Sequence, residues 1–260
     1  MKYLGQNFLI NSEKIQKIIT ALDGKKEKII IEIGAGHGEL TFLLAKKFSQ
    51  VIAVEKDKEL AQALQEKSLG KNIKVINGDI LKILPKLALE NDNYYLVGNI
   101  PYYISGYLLR TISEIKNKPQ KIILTVQKEV AQRITSKAPK MNLLAASVLI
   151  WANVKIIDYL RPSDFSPRPK VESAIIEIKP LKNQLSQEDL KNYYQFIKIL
   201  FKQPRKTILN NLFKSVNLPK EKIIETFHIS MFDRAQNLKL QDIKKMATIW
   251  KKVAKNPLIR

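Results

Sequence analysis

Residues 98–105 read Gly-Asn-Ile-Pro-Tyr-Tyr-Ile-Ser and follow directly on the strand-like apolar run 94–97. A turn of this composition at a strand end offers two fixed acceptors, the side-chain oxygen of Asn99 and the carbonyl preceding Pro101, beside the aromatic face of Tyr102. Such a set suits an exocyclic amino group on a planar base. That amine is a poor nucleophile because its lone pair is delocalised into the ring; two acceptors orient it while Tyr102 stacks on the base. The chemistry is completed by an electrophilic methyl donor.

A donor site is legible upstream. Residues 29–38 read Ile-Ile-Ile-Glu-Ile-Gly-Ala-Gly-His-Gly, an apolar run ending in glycines at 34, 36 and 38. The run fits a buried parallel strand, and the glycines let backbone approach a ligand where a side chain would clash. With a helical pattern over 39–47, this is the nucleotide-binding corner of a doubly wound sheet. The next strand, 51–54, ends on Glu55, whose carboxylate can accept both hydroxyls of a ribose. A third strand, 73–76, ends in Asn77-Gly78-Asp79, where Asp79 can accept from an adenine amino group. A nicotinamide fingerprint would require Gly or Ala at position 39, and Glu39 stands there. The acidic strand ends and the Asn-Ile-Pro-Tyr turn point instead to S-adenosylmethionine.

These residues need an α/β framework, and helical and strand patterns alternate up to about residue 180. Asn11 or Ser12 can cap a first helix whose apolar positions Ile15, Ile18, Ile19 and Leu22 share one face. Later strands fall at 94–97, 122–126, 154–160 and 173–178. The connection 161–170 carries three prolines, which disfavour an ordinary hairpin and stiffen a loop that can present Phe165. From about residue 180 onward the pattern is helical, starting with Ser186 as a cap and a stripe of Tyr193, Tyr194, Ile197, Leu200 and Phe201 expected in a core. The predicted division is 1–182 for the α/β domain and 183–260 for a helical domain.

Lys and Arg number 45 against 24 Asp and Glu, a net charge of +21 with a pI near 9.9. Such an excess indicates a polyanionic partner. After Lys182, sixteen basic against six acidic residues leave +10 on the helical part, which suits RNA docking. Charge alone does not separate RNA from an anionic membrane. No run of eighteen apolar residues and no signal-peptide core occur, so a soluble, cytoplasmic protein is expected. The absence of cysteine excludes disulfides, iron–sulfur radical chemistry and thiolate attack on a pyrimidine ring. With only His37 and His228, no metal site is expected; His37, in the glycine loop, can line the donor pocket but reads first as a solvated loop residue, and His228 as packing.

The chain resembles the KsgA (RsmA) family of ribosomal RNA adenine dimethyltransferases over almost its whole length. The matching stretches are Leu4-Gly-Gln-Asn-Phe-Leu9, Glu32-Ile-Gly-Ala-Gly36, Val54-Glu55, Gly78-Asp79, Asn99-Ile-Pro-Tyr102, Gln127-Lys-Glu-Val130 and Phe165-Ser-Pro-Arg-Pro-Lys-Val171. Phe201-Lys-Gln-Pro-Arg-Lys-Thr207 and Arg234-Ala-Gln-Asn237 extend the likeness to the C-terminal part. The resemblance implies a Rossmann-like S-adenosylmethionine-dependent methyltransferase domain with a small all-helical C-terminal domain. It implies Asn7, Leu9, Gly34, Gly36, Glu55, Asp79 and Asn99 as donor contacts, and Asn99, Tyr102 and Phe165 as the target-base site.

The implied substrate is two adjacent adenines near the 3′ end of small-subunit ribosomal RNA, each receiving two methyls. The RNA is free or in an immature subunit, and the enzyme acts as a monomer. Two rivals share parts of this pattern: an Erm-type enzyme acting on large-subunit RNA, and a non-catalytic RNA-binding assembly factor. The segment 203–208, Gln-Pro-Arg-Lys-Thr-Ile, favours the small-subunit reading, and retention of Glu55, Asp79, Asn99 and Tyr102 favours catalysis. The chain departs from the family in two places. Only Met1 to Tyr3 precede Leu4 where a basic extension is common, and 142–145, Asn-Leu-Leu-Ala, replaces Gly-Arg-Leu-Ser, without its arginine.

Overall fold

The computed structural model describes residues 6–23, 28–182 and 185–255; Leu4 and Gly5 of the first motif lie outside them. The described chain forms two compact units. One runs to Gln132 and resumes over Ala152–Pro180; the other takes Arg133–Trp151 and the described residues from Leu181 onward.

The first unit is built on a seven-stranded sheet of order β4-β3-β2-β5-β6-β9-β7. Its strands are β2 (Ile29–Ile33), β3 (Gln50–Glu55), β4 (Ile73–Asn77), β5 (Tyr94–Asn99), β6 (Lys121–Gln127), β7 (Ala152–Leu160) and β9 (Ser173–Pro180). Strands β2 to β6 are mutually parallel, and β9 runs antiparallel between β6 and β7. The centre is largely apolar, as a sheet covered on both faces requires: Ile30, Ile31, Val51, Leu96 and Val97 are fully buried. Each such side chain contributes roughly 1.5–3 kcal/mol. All seven predicted strands are present.

Between the parallel strands lie α2 (Thr41–Ala45), α3 (Lys58–Lys67), α4 (Ile80–Glu90) and α5 (Ser105–Glu114). Before the sheet come the two-residue β1 (Phe8–Leu9) and α1 (Ser12–Ala21). Asn11 is the cap of α1, its side-chain oxygen accepting from the amides of Glu13 and Lys14 at 3.0 and 3.2 Å. The helix predicted over 39–47 contracts to α2, because Gly38 sits at φ +96° and the chain must turn into β3 within five residues of Ala45. The proline-rich connection forms a 3₁₀ turn at Pro162–Asp164 and then β8 (Phe165–Ser166), which pairs antiparallel with β1. Asp164 fastens this loop to the N-terminal segment: its Oδ1 accepts from Asn11 Nδ2 at 2.7 Å and its carbonyl from the Ile10 amide at 2.9 Å.

The second unit is helical, with α7 (Leu143–Leu149), α8 (Gln187–Leu200), α9 (Ile208–Phe213), α10 (Lys220–Phe227) and α11 (Leu240–Lys255); α6 (Lys128–Ile134) leads into it. The predicted division at residue 182 left 133–151 with the α/β domain, whereas in the structure these residues group with the second unit. The cause is long-range packing: the hydroxyls of Tyr193 and Tyr194 on α8 donate to the carbonyls of Ala146 and Ser147 on α7, each at 3.0 Å. The Met141 amide also donates to the Gln236 carbonyl at 3.0 Å. Tyr193 and Tyr194 are core residues, as expected. Asn142, where the sequence departs from the pattern of the family it resembles, caps α7 through the Ala145 amide at 3.0 Å. His228 is exposed rather than packed; it ends α10 in the left-handed conformation, at φ +51°.

Candidate active site

The strand order reverses at β2 and β5: the chain leaves β2 toward β3 on one side, while β5 joins on the other. Ligands of open α/β sheets occupy the crevice this reversal leaves at the carboxyl ends of the strands. Here it holds a cavity of ≈ 780 Å³, counting its open mouth, lined by Asn7, Gly34, Glu55, Asp79, Asn99 and Tyr102 among others. Six of the sequence-predicted residues therefore meet in one place.

Glu55, at the end of β3, is 3% exposed. Its Oε2 accepts from the Gly36 amide and its Oε1 from the Asp57 amide, both at 2.9 Å. These bonds hold the carboxylate rigid and leave further lone pairs for ligand hydroxyls. The loop can present the Gly36 amide because residue 36 adopts φ +56°, a conformation that favours glycine. Asp79, at the end of β4, caps α4 with Oδ1 accepting from the Leu81 amide at 3.0 Å, while Oδ2 pairs with Lys56 Nζ at 2.9 Å. The Lys56 ammonium holds the Asp79 carboxyl below its ordinary range. Lys56 also lines the cavity and was missed in the sequence, where nothing distinguishes it from other surface lysines.

Asn99 ends β5 beside Ile33 and Gly98. A Cβ on Gly98 would lie 2.7 Å from the Ile33 carbonyl oxygen, so a side chain there would push β2 and β5 apart. Asn99 Nδ2 donates to the Asn7 carbonyl at 2.7 Å. That bond determines which end of the amide is which, and it leaves Oδ1 as an acceptor with no partner among the described residues. Tyr102 is half-buried, and its hydroxyl hydrogen-bonds the Ser173 hydroxyl at 2.6 Å, which locks the ring; burial raises its pKa. Ser173, the first residue of β9, is a second residue that no local motif reveals.

Two of the predicted residues lie away from this cavity. Phe165 does not line the cavity. It is 2% exposed in a core with Leu9, Ile15, Ile18 and Leu160, because its pairing with Leu9 turns its side chain inward and that of Ser166 outward. Leu9 likewise lines only a smaller cavity behind the first, with Gly34 and Asn99 in common. His37 is exposed, as expected, and packs its ring on Phe8 at 4.6 Å between centroids. That smaller cavity also meets Glu32, buried in the middle of the glycine motif with its Oε2 unpartnered among the described residues. Burial pushes the Glu32 carboxyl up to about 8; the Thr41 hydroxyl offsets part of the shift, and the carboxylates of Glu55 and Glu39 add to it.

The residues fit S-adenosylmethionine: an anchored carboxylate can take ribose hydroxyls, Asp79 can take an amino group, and the glycine corner admits a ligand against backbone. An amine acceptor site opening onto such a nucleoside crevice places the chain among the Rossmann-like, S-adenosylmethionine-dependent methyltransferases. Comparison with known proteins is narrower. The chain belongs to the ribosomal RNA adenine dimethylase family, matching it over residues 1–255. It is 38% identical over 251 residues to the ribosomal RNA small subunit methyltransferase A of Dehalococcoides mccartyi strain CBDB1, covering 94% of this chain and 86% of that one. The crystal structure of a dimethyladenosine transferase from Plasmodium falciparum superposes with a TM-score of 0.81 at 25% identity, covering 95% of this chain and 98% of the other. The 23S rRNA methyltransferase ErmE shares the fold, with a TM-score of 0.72 at 22% identity, covering 94% of this chain and all of the other. No helix among the described residues is long and apolar enough to cross a membrane.

Proposed function

We propose that this protein dimethylates the exocyclic amino groups of two adjacent adenines near the 3′ end of small-subunit ribosomal RNA, free or in an immature subunit, acting as a cytoplasmic monomer. The observation that carries the reading is the Asn99–Asn7 hydrogen bond, which presents Oδ1 of Asn99 as an acceptor at the cavity. S-adenosylmethionine supplies an electrophilic methyl carbon, whose bonding electrons return to sulfur as the adenine nitrogen forms the new bond. Asn99 Oδ1 and the Ile100 carbonyl accept the amine hydrogens and hold its lone pair toward the donor. They also stabilise the positive charge that grows on nitrogen before its proton is lost to water. Tyr102, locked by Ser173, stacks on the base once it has left the helical stack, a step that costs a few kcal/mol and least in loops and ends. Glu55 and Asp79 hold the donor, and the basic helical unit docks the RNA.

The small-subunit reading is favoured over the large-subunit one by the name of the Dehalococcoides mccartyi relative. The test is to map methylated adenines by mass spectrometry after incubating the protein and donor with unmodified small and large subunits. Dimethylation of adjacent adenines in the small-subunit RNA is expected. Methyls on large-subunit RNA would transfer the reading to the Erm class; binding without transfer would make the protein an assembly factor.

A further inference from the structure

The helix after the Asn-Ile-Pro-Tyr turn carries a surface that the reaction site leaves unused. Tyr103 lies in the 3₁₀ turn Tyr102–Ile104 and Gly106 and Tyr107 in the first turn of α5, so the three stand within one short stretch of chain. Tyr103 is 59% exposed and Tyr107 70%, and a Cβ on Gly106 would meet nothing within 4 Å. Among the described residues neither phenol makes a hydrogen bond or a ring contact. Glycine within a helix is unfavourable relative to alanine, and here no neighbour requires its bareness. Two exposed rings with a bare position between them leave an open aromatic surface, a shelf on which a base can lie. Tyr103 also lines both the reaction cavity and a second, open groove that shares Asn7 and Tyr102 with it. Arg168 and Lys170 line that groove, exposed and in no ion pair among the described residues.

We propose that this shelf stacks the nucleotide adjoining the adenine under reaction, with Arg168 and Lys170 on the phosphates beside it. Exposed aromatic faces beside a basic groove suit single-stranded RNA: every base has a face to stack, and phosphates answer the cations. The inference rests on the methyl-transfer reading of the cavity and adds a role to it. When one of two adjacent adenines enters the cavity, its neighbour loses a stacking partner, and the shelf replaces that partner. After the first adenine is finished, a shift of one nucleotide exchanges the two.

The test measures affinity for a short single-stranded RNA bearing two adjacent adenines, its salt dependence, and kcat and KM for methyl transfer, using the full chain. Tyr107→Ala and Gly106→Leu are the principal variants, since neither residue lines the cavity; Tyr103→Ala is the third. Each is expected to weaken RNA binding about tenfold and to raise KM far more than it lowers kcat. The tyrosine variants should leave the salt slope unchanged, whereas Arg168→Ala and Lys170→Ala each reduce it by about one. Tyr107→Phe should bind like the parent, and Gly106→Leu should unfold no more easily than it. RNA affinity unchanged in Tyr107→Ala and Gly106→Leu, in a protein that transfers methyls normally, would overturn the proposal, as would a loss confined to kcat. If the parent binds RNA but transfers nothing, the catalytic reading fails, while tenfold losses in binding would still support the shelf.

Discussion

Replacing Glu32 by Gln should stabilise the protein, and by an amount that grows with pH. The carboxyl is 2% exposed, has an unpartnered Oε2 and is pushed up to about 8 from an ordinary value of 4.5. Below pH 4.5 it is protonated in both the folded and unfolded chains, and stability does not depend on it. Between 4.5 and 8 the unfolded chain has released the proton and the folded chain still binds it, so stability falls as pH rises, by about 1.4 kcal/mol per unit. At pH 7 the accumulated loss is about 3 kcal/mol. Glutamine has the same shape and no ionisation, so the variant escapes that loss. Urea unfolding of both proteins at pH 5.5, 6.5 and 7.5 measures it: the gap should widen by roughly 2–3 kcal/mol across the series. A gap that stays constant with pH would mean that Glu32 ionises alike in both states, and the argument from burial would be wrong.

Asn99→Ala should lower single-turnover methyl transfer by about a hundredfold or more at saturating donor, the scale for losing one preorganised polar group, while RNA affinity barely changes; near-normal transfer would remove Asn99 from the reaction. Glu55→Ala should weaken donor binding by about 1.5–3 kcal/mol in calorimetry, and an unchanged Kd would exclude Glu55 from the donor site. Asn11→Ala removes both the cap of α1 and the partner of Asp164, and should cost about 1–2 kcal/mol in thermal or urea unfolding. Phe165→Leu should retain methylation within a few fold, whereas Phe165→Ala should cost about 3–5 kcal/mol as a core truncation; a stable but inactive leucine variant would restore Phe165 as a base platform.

Much of the first unit was legible because its strands are short apolar runs ended by residues with functional chemistry. The run 29–33 ending at Gly34, the strand ending on Glu55 and the turn at Asn99 all stand where the pattern predicted. Capping was legible too: Asn11 and Ser186 sit just before periodic apolar stripes and accept from the expected amides. What escaped depends on contacts distant in sequence. Strands of two residues, such as β1 and β8, have no periodicity to read, so the inward side of Phe165 could not be known. Nor does any local signal announce that two tyrosine hydroxyls 47 residues away will draw Ala146 and Ser147 into the second unit. The amide of Asn99 was recognised, but its orientation depends on the Asn7 carbonyl, 92 residues upstream.

The order of β6, β9 and β7 has a consequence during synthesis, which proceeds from one end. Strand β7 leaves the ribosome before β9, the only strand with which it pairs among the described residues, so both β6 and β7 present open edges until β9 arrives between them. Ile156 waits twenty residues for Ile176, and Ala146 waits 47 for Tyr193. At 5–20 residues per second these intervals last roughly 1–4 s and 2–9 s. Open edges in that period invite pairing with neighbouring chains, a hazard that charged side chains blunt. Lys155 on β7 supplies that charge, and with Lys179 of β9 it later converges on buried Glu177. Part of the positive charge on this protein therefore sits on a strand whose edge is open while the chain is being made.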